Sequence, residues 1–163
     1  MTLVPKRASE SATEMVQVVL PNDANPLGYI LGGTVMHLID IAGAIACHRH
    51  TRSLLVTAAV DDLQFLHSIK VGDLIILKAH VTCVFTTSLE VHVDVYSEET
   101  LTGRRQLTSQ AFLTFVAIDR NGTKIRVPPL LIETEEERRV CEEAHARREQ
   151  RLKRKTESLK SEV

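Results

Sequence analysis

A single carboxylate, Asp40, interrupts an apolar run that follows two adjacent glycines in the segment LGYILGGTVMHLID, residues 27–40. A glycine pair at the start of a helix exposes backbone N–H groups at the positive end of the helix dipole, where they stabilise negative charge developing on an oxygen atom. Gly32 and Gly33 therefore indicate an oxyanion site. Asp40 lies about two turns further along and is a candidate general base or nucleophile.

Two interpretations of Asp40 stay open from the residue pattern. An ionised carboxylate inside an apolar enclosure carries a large desolvation penalty unless it is paired or hydrogen-bonded. Asp40 either emerges at the helix surface, solvated or structurally bonded, or lines a cleft in which its desolvation serves chemistry. The carboxylate and the glycines are separated by roughly 9 Å along the helix axis. One chain is therefore not expected to bring both to one substrate atom, whereas a second protomer packed alongside could.

The composition is that of a soluble globular domain of ordinary size. The chain has 163 residues, of which 44% are hydrophobic and 25% charged, and its net charge is −1. This charge gives no attraction to nucleic acid or to a membrane surface, and no apolar run has the length of a membrane span, so neither partner is expected. Residues 1–12 are small and polar and predict a mobile N-terminal arm.

The three cysteines argue against a disulfide framework and against a metal site. Cys47, Cys83 and Cys141 are odd in number, far apart in sequence and in no C-x-x-C pair, so a reducing cytoplasm is the expected location. The two histidines of HRH, at residues 48–50, point to different faces of a helix, which disfavours a shared metal ion. No metal is therefore predicted.

The apolar pattern divides the chain into one domain, residues 13–131, and a charged C-terminal helix, residues 132–155, with a frayed tail at 156–163. Thr134 and Glu137 fit a capping box at the start of this helix. Segments with β-branched residues or strict alternation predict strands, and short connectors predict an antiparallel meander of the last four. The strands are 13–20, 54–66, 73–85, 88–99 and 105–119.

Residues 34–48 predict a helix that is apolar nearly all round, and such a helix has to be enclosed. The strands form an antiparallel sheet whose apolar face also requires a cover. A single antiparallel sheet wrapped around this central helix satisfies both requirements. The sequence therefore predicts an α+β fold of the hotdog type, with the charged helix added at the C-terminal end.

The chain contains the segments LPNDANPLGYILGGTVMHLIDIAGAIA, VTAAVDDLQFLHSIKVGD, TTSLEVHVDV and AFLTFVAID. These segments resemble the cytosolic hotdog acyl-CoA hydrolases, including the brain-type acyl-CoA thioesterases, and the resemblance covers about residues 13–153. It implies hydrolysis of a fatty acyl-CoA to a free fatty acid and coenzyme A, with no cofactor other than the coenzyme A of the substrate. Because the chain holds one hotdog, it also implies a homodimer and a hexamer of three such dimers.

The resemblance assigns the catalytic pair to Asn25, in the D-x-N loop, and Asp40, contributed by two neighbouring hotdogs. It implies that the backbone amides of Gly32, Gly33 and Thr34 hold the developing oxyanion. Asp40 then either deprotonates water or attacks the carbonyl to form a mixed anhydride, and both routes stay open. Asn25 could orient the water or hydrogen-bond the carbonyl.

The phosphates of coenzyme A require cations, and the sequence offers two groups of arginines. Arg104 and Arg105 precede a strand, while Arg147, Arg148 and Arg151 lie on the last helix. A solvated charge run is the alternative interpretation for each of them.

Two further positions bear on substrate recognition through the resemblance. Thr87 and Ser88, in the turn TTS, match a family segment near the nucleotide, with turn stabilisation as the alternative. Leu31 departs from the family pattern, in which an aromatic residue or a histidine commonly precedes the glycine pair. This departure affects the expected acyl-chain preference more than the expected activity, because catalysis would use the glycine backbone.

Two other functions compete with hydrolysis. A hydratase or dehydratase on the same fold uses a histidine together with an acid, and the loop at 21–33 contains no histidine. A non-catalytic acyl-CoA sensor would keep the fold as a binding module, and fold alone does not exclude it. A sensor would normally carry a DNA-binding domain as well, for which 163 residues leave no room. The presence of both Asn25 and Asp40 also favours an enzyme.

Overall fold

The computed structural model describes residues 3–161, which form a five-stranded sheet, a two-stranded sheet and two α-helices. The elements in chain order are β1 (Lys6–Arg7), β2 (Thr13–Val18), α1 (Gly32–Thr51), β3 (Leu54–Phe65), β4 (Leu74–Val84), β5 (Ser88–Glu98), β6 (Arg105–Ile118), β7 (Leu130–Leu131) and α2 (Glu135–Ser161). Most bounds lie within a few residues of those predicted from the apolar pattern. None of the helices between residues 3 and 161 is long and apolar enough to cross a membrane.

The large sheet is antiparallel throughout, in the order β2-β4-β5-β6-β3. The predicted meander is confirmed for β4, β5 and β6 but is wrong for β3, which pairs with β6 instead of β4. The connector between β3 and β4 holds other segments in place: the Ile69 carbonyl accepts a hydrogen bond from Ile30 at 2.8 Å, and the Asp73 carbonyl accepts one from Val19 at 2.9 Å. Because β6 is its only neighbour in the described sheet, β3 lies at one edge.

Helix α1 packs across one face of this sheet, as the hotdog arrangement requires. The alternate residues Leu89, Val91, Val93 and Val95 of β5 are fully buried, and so are Ala42, Ala46 and Cys47 of α1. The enclosure is less complete than the sequence predicts, because Met36 stays 46% exposed on the flank of α1 that this chain does not cover.

The N-terminal segment differs from the predicted mobile arm, of which residues 1 and 2 lie outside the described residues. β1 pairs with β7 in parallel, with Lys6 opposite Leu130. Ser11 is fully buried; its hydroxyl donates to the Ala8 carbonyl at 2.7 Å and accepts from the Val81 N–H at 2.9 Å. A two-residue strand has no apolar period, which is why the sequence pattern does not reveal it.

Helix α2 is capped as predicted, since the Thr134 hydroxyl accepts a hydrogen bond from the Glu137 N–H at 3.1 Å. It continues to Ser161, so residues 156–161 of the predicted tail are helical, and residues 162 and 163 lie outside the described part. The expectation of no disulfide is wrong, because Cys83 of β4 and Cys141 of α2 form one. Sequence spacing did not indicate this pair, since helix docking and not local sequence brings the two sulfurs together.

We expect this cross-link to stabilise the chain mainly by restricting its unfolded state. The cysteines are 58 positions apart, and closing a loop of that length corresponds to about 4 kcal/mol in the chain-entropy model. A reducing agent should therefore lower the free energy of unfolding of the wild-type chain, measured in urea, by up to about this amount. The Cys141→Ser variant should be less stable and insensitive to the reductant. An unchanged urea midpoint in wild-type chain shown by alkylation to be reduced would contradict this account.

Candidate active site

The N-terminus of α1 presents backbone donors for which residues 3–161 provide no acceptor. The N-cap residue, Leu31, makes no side-chain capping bond, and its carbonyl accepts from the Val35 N–H at 3.1 Å. The N–H groups of Gly32, Gly33 and Thr34 precede this bond and have no helical acceptor four positions earlier. They lie at the positive end of the helix dipole, where they are suited to hold a negatively charged oxygen atom.

The loop before α1 is organised around Asn25. Its Oδ1 accepts hydrogen bonds from the N–H groups of Leu27 at 3.0 Å and Tyr29 at 3.2 Å. Because both donors are backbone N–H groups, the accepting atom has to be the carboxamide oxygen, and the NH₂ group points elsewhere. Asn25 is half-buried, and its NH₂ group is therefore the part of the side chain that is free to meet a ligand.

Two further bonds fix this loop, one at the start of α1 and one to the connector between β3 and β4. The Leu31 N–H donates to the Asp23 carbonyl at 2.9 Å, and the Gly28 carbonyl accepts from Val71 at 3.0 Å. Gly28 has φ = +83°, in the left-handed region that favours glycine. The positions of Asn25 and of the free N–H groups of α1 are therefore determined by the same loop.

Asp40 lies at the boundary between α1 and β3, and not inside the apolar core. The carboxylate is half-buried, and its Oδ1 accepts a hydrogen bond of 2.7 Å from the hydroxyl of Thr57 on β3. The first interpretation of Asp40 is confirmed in that the carboxylate is structurally bonded, while a catalytic role for its second oxygen stays a prediction. Sequence reasoning missed Thr57, which is 17 positions away in a strand and matches no local motif.

Among residues 3–161, no shared hydrogen-bond partner links Asn25 to Asp40. The hydrogen-bond partners of Asn25 belong to its own loop, whereas the partner of Asp40 belongs to β3. That one chain does not bring both groups to one substrate atom stays a prediction.

Three of the five arginines predicted to bind coenzyme A have carboxylate partners in the structure. Arg147 makes two hydrogen bonds, of 3.0 and 2.8 Å, to the buried carboxylate of Glu90, and its guanidinium stacks 3.7 Å from the ring centroid of Phe112. Burial by itself lowers the pKa of Arg147, but the hydrogen bonds and charge of Glu90 raise this pKa above its ordinary value. Arg147 therefore attaches α2 to the outer face of β5.

The other two pairs are more exposed. Arg151 bonds to Asp61 at 2.5 Å and links α2 to β3, while Arg105 bonds to Glu98 at 2.5 Å within the β5–β6 hairpin. Arg151 is thereby largely withdrawn from solvent, whereas the side chain of Arg105 is 54% exposed and still fits the interpretation of a solvated charge.

The remaining predicted residues fall into two separate regions. Arg148 lines a cleft of about 970 Å³ together with Thr86, next to Thr87 and Ser88, and with Arg126. Arg104 lies beyond the other end of β5. Because this strand has 11 residues, at about 3.3 Å per residue its two ends are roughly 33 Å apart. Sequence reasoning missed Arg126, whose signal was the basic segment TKIRVPP after the last long strand.

One cluster among residues 3–161 contains residue types that bind metals. The ligand atoms of Cys83, Cys141 and His145 lie within 4.8 Å of one another. The two sulfurs are bonded to each other, so neither is a thiolate ligand in this state.

Comparison with known proteins agrees with the geometry. Residues 27–103 match the model of the thioesterase superfamily. An uncharacterised acyl-CoA thioester hydrolase of Bacillus subtilis is 40% identical over 149 residues, which cover 91% of this chain and 87% of that protein. The chain belongs to the thioesterase superfamily. The human cytosolic acyl coenzyme A thioester hydrolase is 31% identical over 145 residues, but the match spans only 38% of its length.

Solved structures of the superfamily confirm the hotdog fold. A hexameric acyl-CoA thioesterase without ligand superimposes with a TM-score of 0.88 at 43% identity, covering 93% of this chain and 97% of that one. An acyl-CoA hydrolase from Staphylococcus aureus, in complex with butyryl coenzyme A, coenzyme A and coenzyme A disulfide, gives a TM-score of 0.86 at 34% identity. That match covers 96% of this chain and 95% of the other.

The Glu90–Arg147 pair yields a stability prediction. Arg147→Ala leaves a buried carboxylate without its counter-charge, and we expect the free energy of unfolding to fall by about 3–5 kcal/mol in urea titrations. Arg139→Ala is the matched control, since Arg139 lies on the same helix in exposed pairs with Glu136 and Glu143 and should change stability little. Equal losses of unfolding free energy in the two variants would show that the buried pair stabilises the fold no more than the exposed pairs do.

Proposed function

We propose that this chain hydrolyses acyl-CoA thioesters to a free acid and coenzyme A, with Asp40 as the catalytic carboxylate. The observation that carries the proposal is the hydrogen bond from Thr57 to Asp40, on a helix whose N-terminus has no side-chain cap. It provides a fixed carboxylate with one free oxygen on a fold shared with an acyl-CoA hydrolase that binds butyryl coenzyme A.

Residue spacing supports a role in catalysis for Asn25, Asp40 and Thr57. The Staphylococcus aureus acyl-CoA hydrolase has been solved as alanine variants of an asparagine, an aspartate and a threonine. In that protein the asparagine and the aspartate are 15 positions apart, and the aspartate and the threonine are 17 apart. Asn25, Asp40 and Thr57 have the same two separations.

In the proposed reaction the thioester carbonyl oxygen accepts hydrogen bonds from the free N–H groups of Gly33 and Thr34. Thr57 occupies Oδ1 of Asp40, so Oδ2 faces the reacting atoms. In one route Oδ2 takes a proton from water, the hydroxide attacks the carbonyl carbon, the carbon–sulfur bond breaks, and the thiolate takes up the proton. In the other, Oδ2 attacks first and releases the thiolate, and water then hydrolyses the mixed anhydride.

Asn25 acts as a hydrogen-bond donor in this scheme. Its oxygen is occupied by the N–H groups of Leu27 and Tyr29, so its NH₂ group is what reaches the substrate. A donor stabilises the carbonyl oxygen or binds the oxygen of the attacking water, but it does not accept the proton from that water. This narrows the role of Asn25 and leaves proton uptake to Asp40.

The active site is proposed to form across a homodimer, with three dimers assembling into a hexamer. β3 is an edge strand whose Leu54, Val56, Val60 and Phe65 are each 45–52% exposed, which is typical of a surface covered by another chain. Relatives support the larger assembly, since two solved acyl-CoA thioesterases are described as hexameric.

Antiparallel pairing of β3 with its copy explains how the site is completed. The strand spans residues 54–65, so pairing about its midpoint places Thr57 opposite residue 62 of the partner. That position is about 10 Å from Phe65 of the partner subunit, at roughly 3.3 Å per residue. Within one chain, Phe65 lies against Gly32 at the start of α1. Asp40 of one chain therefore faces the helix N-terminus and the Asn25 loop of its partner.

The cytoplasmic location inferred from the sequence stays a prediction.

Asp40→Asn should reduce the rate of thiol release from acyl-CoA by at least about 100-fold, because the amide can neither take up a proton nor attack the carbonyl. The variant keeps the size of the side chain and an oxygen for Thr57, so thermal stability and coenzyme A binding should be retained. Asp94→Asn, on the outer face of β5, is the matched control and should hydrolyse at the wild-type rate. Near-normal turnover by folded Asp40→Asn protein would exclude Asp40 as the catalytic carboxylate.

Mixing subunits tests whether the site is shared. Asn25→Ala and Asp40→Asn chains, each inactive alone and carrying different affinity tags, would be co-refolded and the heterodimers isolated. Each heterodimer should contain one doubly damaged site and one intact site, and activity should recover to about half of wild type. Each variant refolded with itself is the control. Heterodimers as inactive as the parents would show that both residues act within one chain.

A further inference from the structure

A cleft of about 250 Å³ opens beside the first turn of α1. Its floor is formed mainly by the buried side chains of Ile30, Val35 and Ile69, which are 8%, 3% and 2% exposed, together with the buried side chain of Ser109. Phe65 and Leu66 form one wall and are half-exposed, while the polar groups of residues 67 and 68 lie in the connector that follows β3. The cleft therefore has a largely apolar floor and a polar rim.

Gly32 connects this cleft to the proposed oxyanion site. It lines the cleft and is also the first residue of α1, adjoining the free N–H groups. A methyl group on Gly32 would lie 3.7 Å from Cζ of Phe65, so the aromatic ring covers this end of the helix. A substrate carbonyl held by these N–H groups would lie at the mouth of the cleft, with Phe65 at its side.

The backbone of β3 is irregular just before Phe65. The register with β6 shifts between Asp61 and Gln64, and Asp62 has φ = +51°, an unusual value for a residue other than glycine. Such bulges redirect the side chains that follow them and are common next to active sites. The irregularity immediately precedes the residues that form the cleft wall.

We propose that this cleft receives the acyl chain and that Phe65 sets the length of chain accepted. The inference rests on the proposed acyl-CoA hydrolysis and specifies its substrate class. An apolar floor suits an alkyl chain, whereas the coenzyme A arm has to continue outward to the nucleotide. A cavity of about 150 Å³ encloses benzene, so on the same scale about 250 Å³ corresponds to roughly ten carbon atoms. The substrates are therefore short- and medium-chain acyl-CoA esters.

The test measures kcat/KM for wild type, Phe65→Ala and Phe65→Trp over saturated acyl-CoA esters from acetyl to palmitoyl. Wild type should be most active at or below about ten carbons. Phe65→Ala should raise kcat/KM for longer esters relative to acetyl-CoA by about tenfold or more, and Phe65→Trp should move the maximum to shorter chains. Since Phe65 also lies on the proposed dimer surface, Phe65→Leu, which keeps an apolar contact, provides a second enlarged cleft if the alanine variant does not assemble.

Phe85→Ala is the matched control, because it removes the same side chain beside His145 and Arg148 in the separate, basic cleft. It should change kcat/KM for every chain length by one common factor. A Phe65 variant that behaves in this uniform way, or whose profile coincides with wild type, would overturn the assignment and indicate that the coenzyme A arm occupies the cleft. Absence of turnover with every ester in folded wild-type protein would instead contradict the proposed function itself.

Discussion

The close contact between α1 and the sheet at Gly43 determines where the groups of the candidate site lie. A methyl group at this position would be 3.1 Å from Cγ1 of Val91 and 3.2 Å from Cε2 of Phe115, so a residue without a side chain lets the helix approach this closely. Asp40 lies three residues earlier and reaches the Thr57 hydroxyl across the boundary with β3. A helix displaced outward by a larger residue would lengthen that hydrogen bond, and the carboxylate would lose its fixed orientation.

The elements that depend on local pattern were predictable. The strict alternation of β5, with Leu89, Val91, Val93 and Val95 on one face, identifies a strand with one buried side, and the structure buries those residues completely. The apolar run after the glycine pair likewise identified α1 to within two residues at its start. Packing one apolar helix against one apolar sheet face leaves few arrangements, which is why the hotdog fold also followed.

Features that depend on how distant segments meet were not predictable. The docking of α2 decides whether Arg147 faces solvent or the sheet. The sequence of a charged helix predicts a solvated side chain there, because it does not show that the buried carboxylate of Glu90 lies beneath the helix. The same docking brings Cys83 and Cys141 together. Thr57 was also not predictable, because no sequence motif identifies a threonine on an edge strand as the hydrogen-bond partner of Asp40.

The position of the site at a sheet edge links assembly to chemistry. β3 has 12 residues, and its outer edge would expose unpaired backbone groups together with several half-exposed apolar side chains, a combination prone to uncontrolled pairing with other strands. In the proposed homodimer, pairing with a second copy would satisfy those groups and would also bring Asp40 of one chain towards the free N–H groups and the Asn25 loop of the other. An isolated chain would then be folded, with its core and its carboxylate in place, but without the donors that stabilise the reaction's negative charge. If the two halves of the site lie on different chains, as proposed, hydrolysis is confined to the assembled protein.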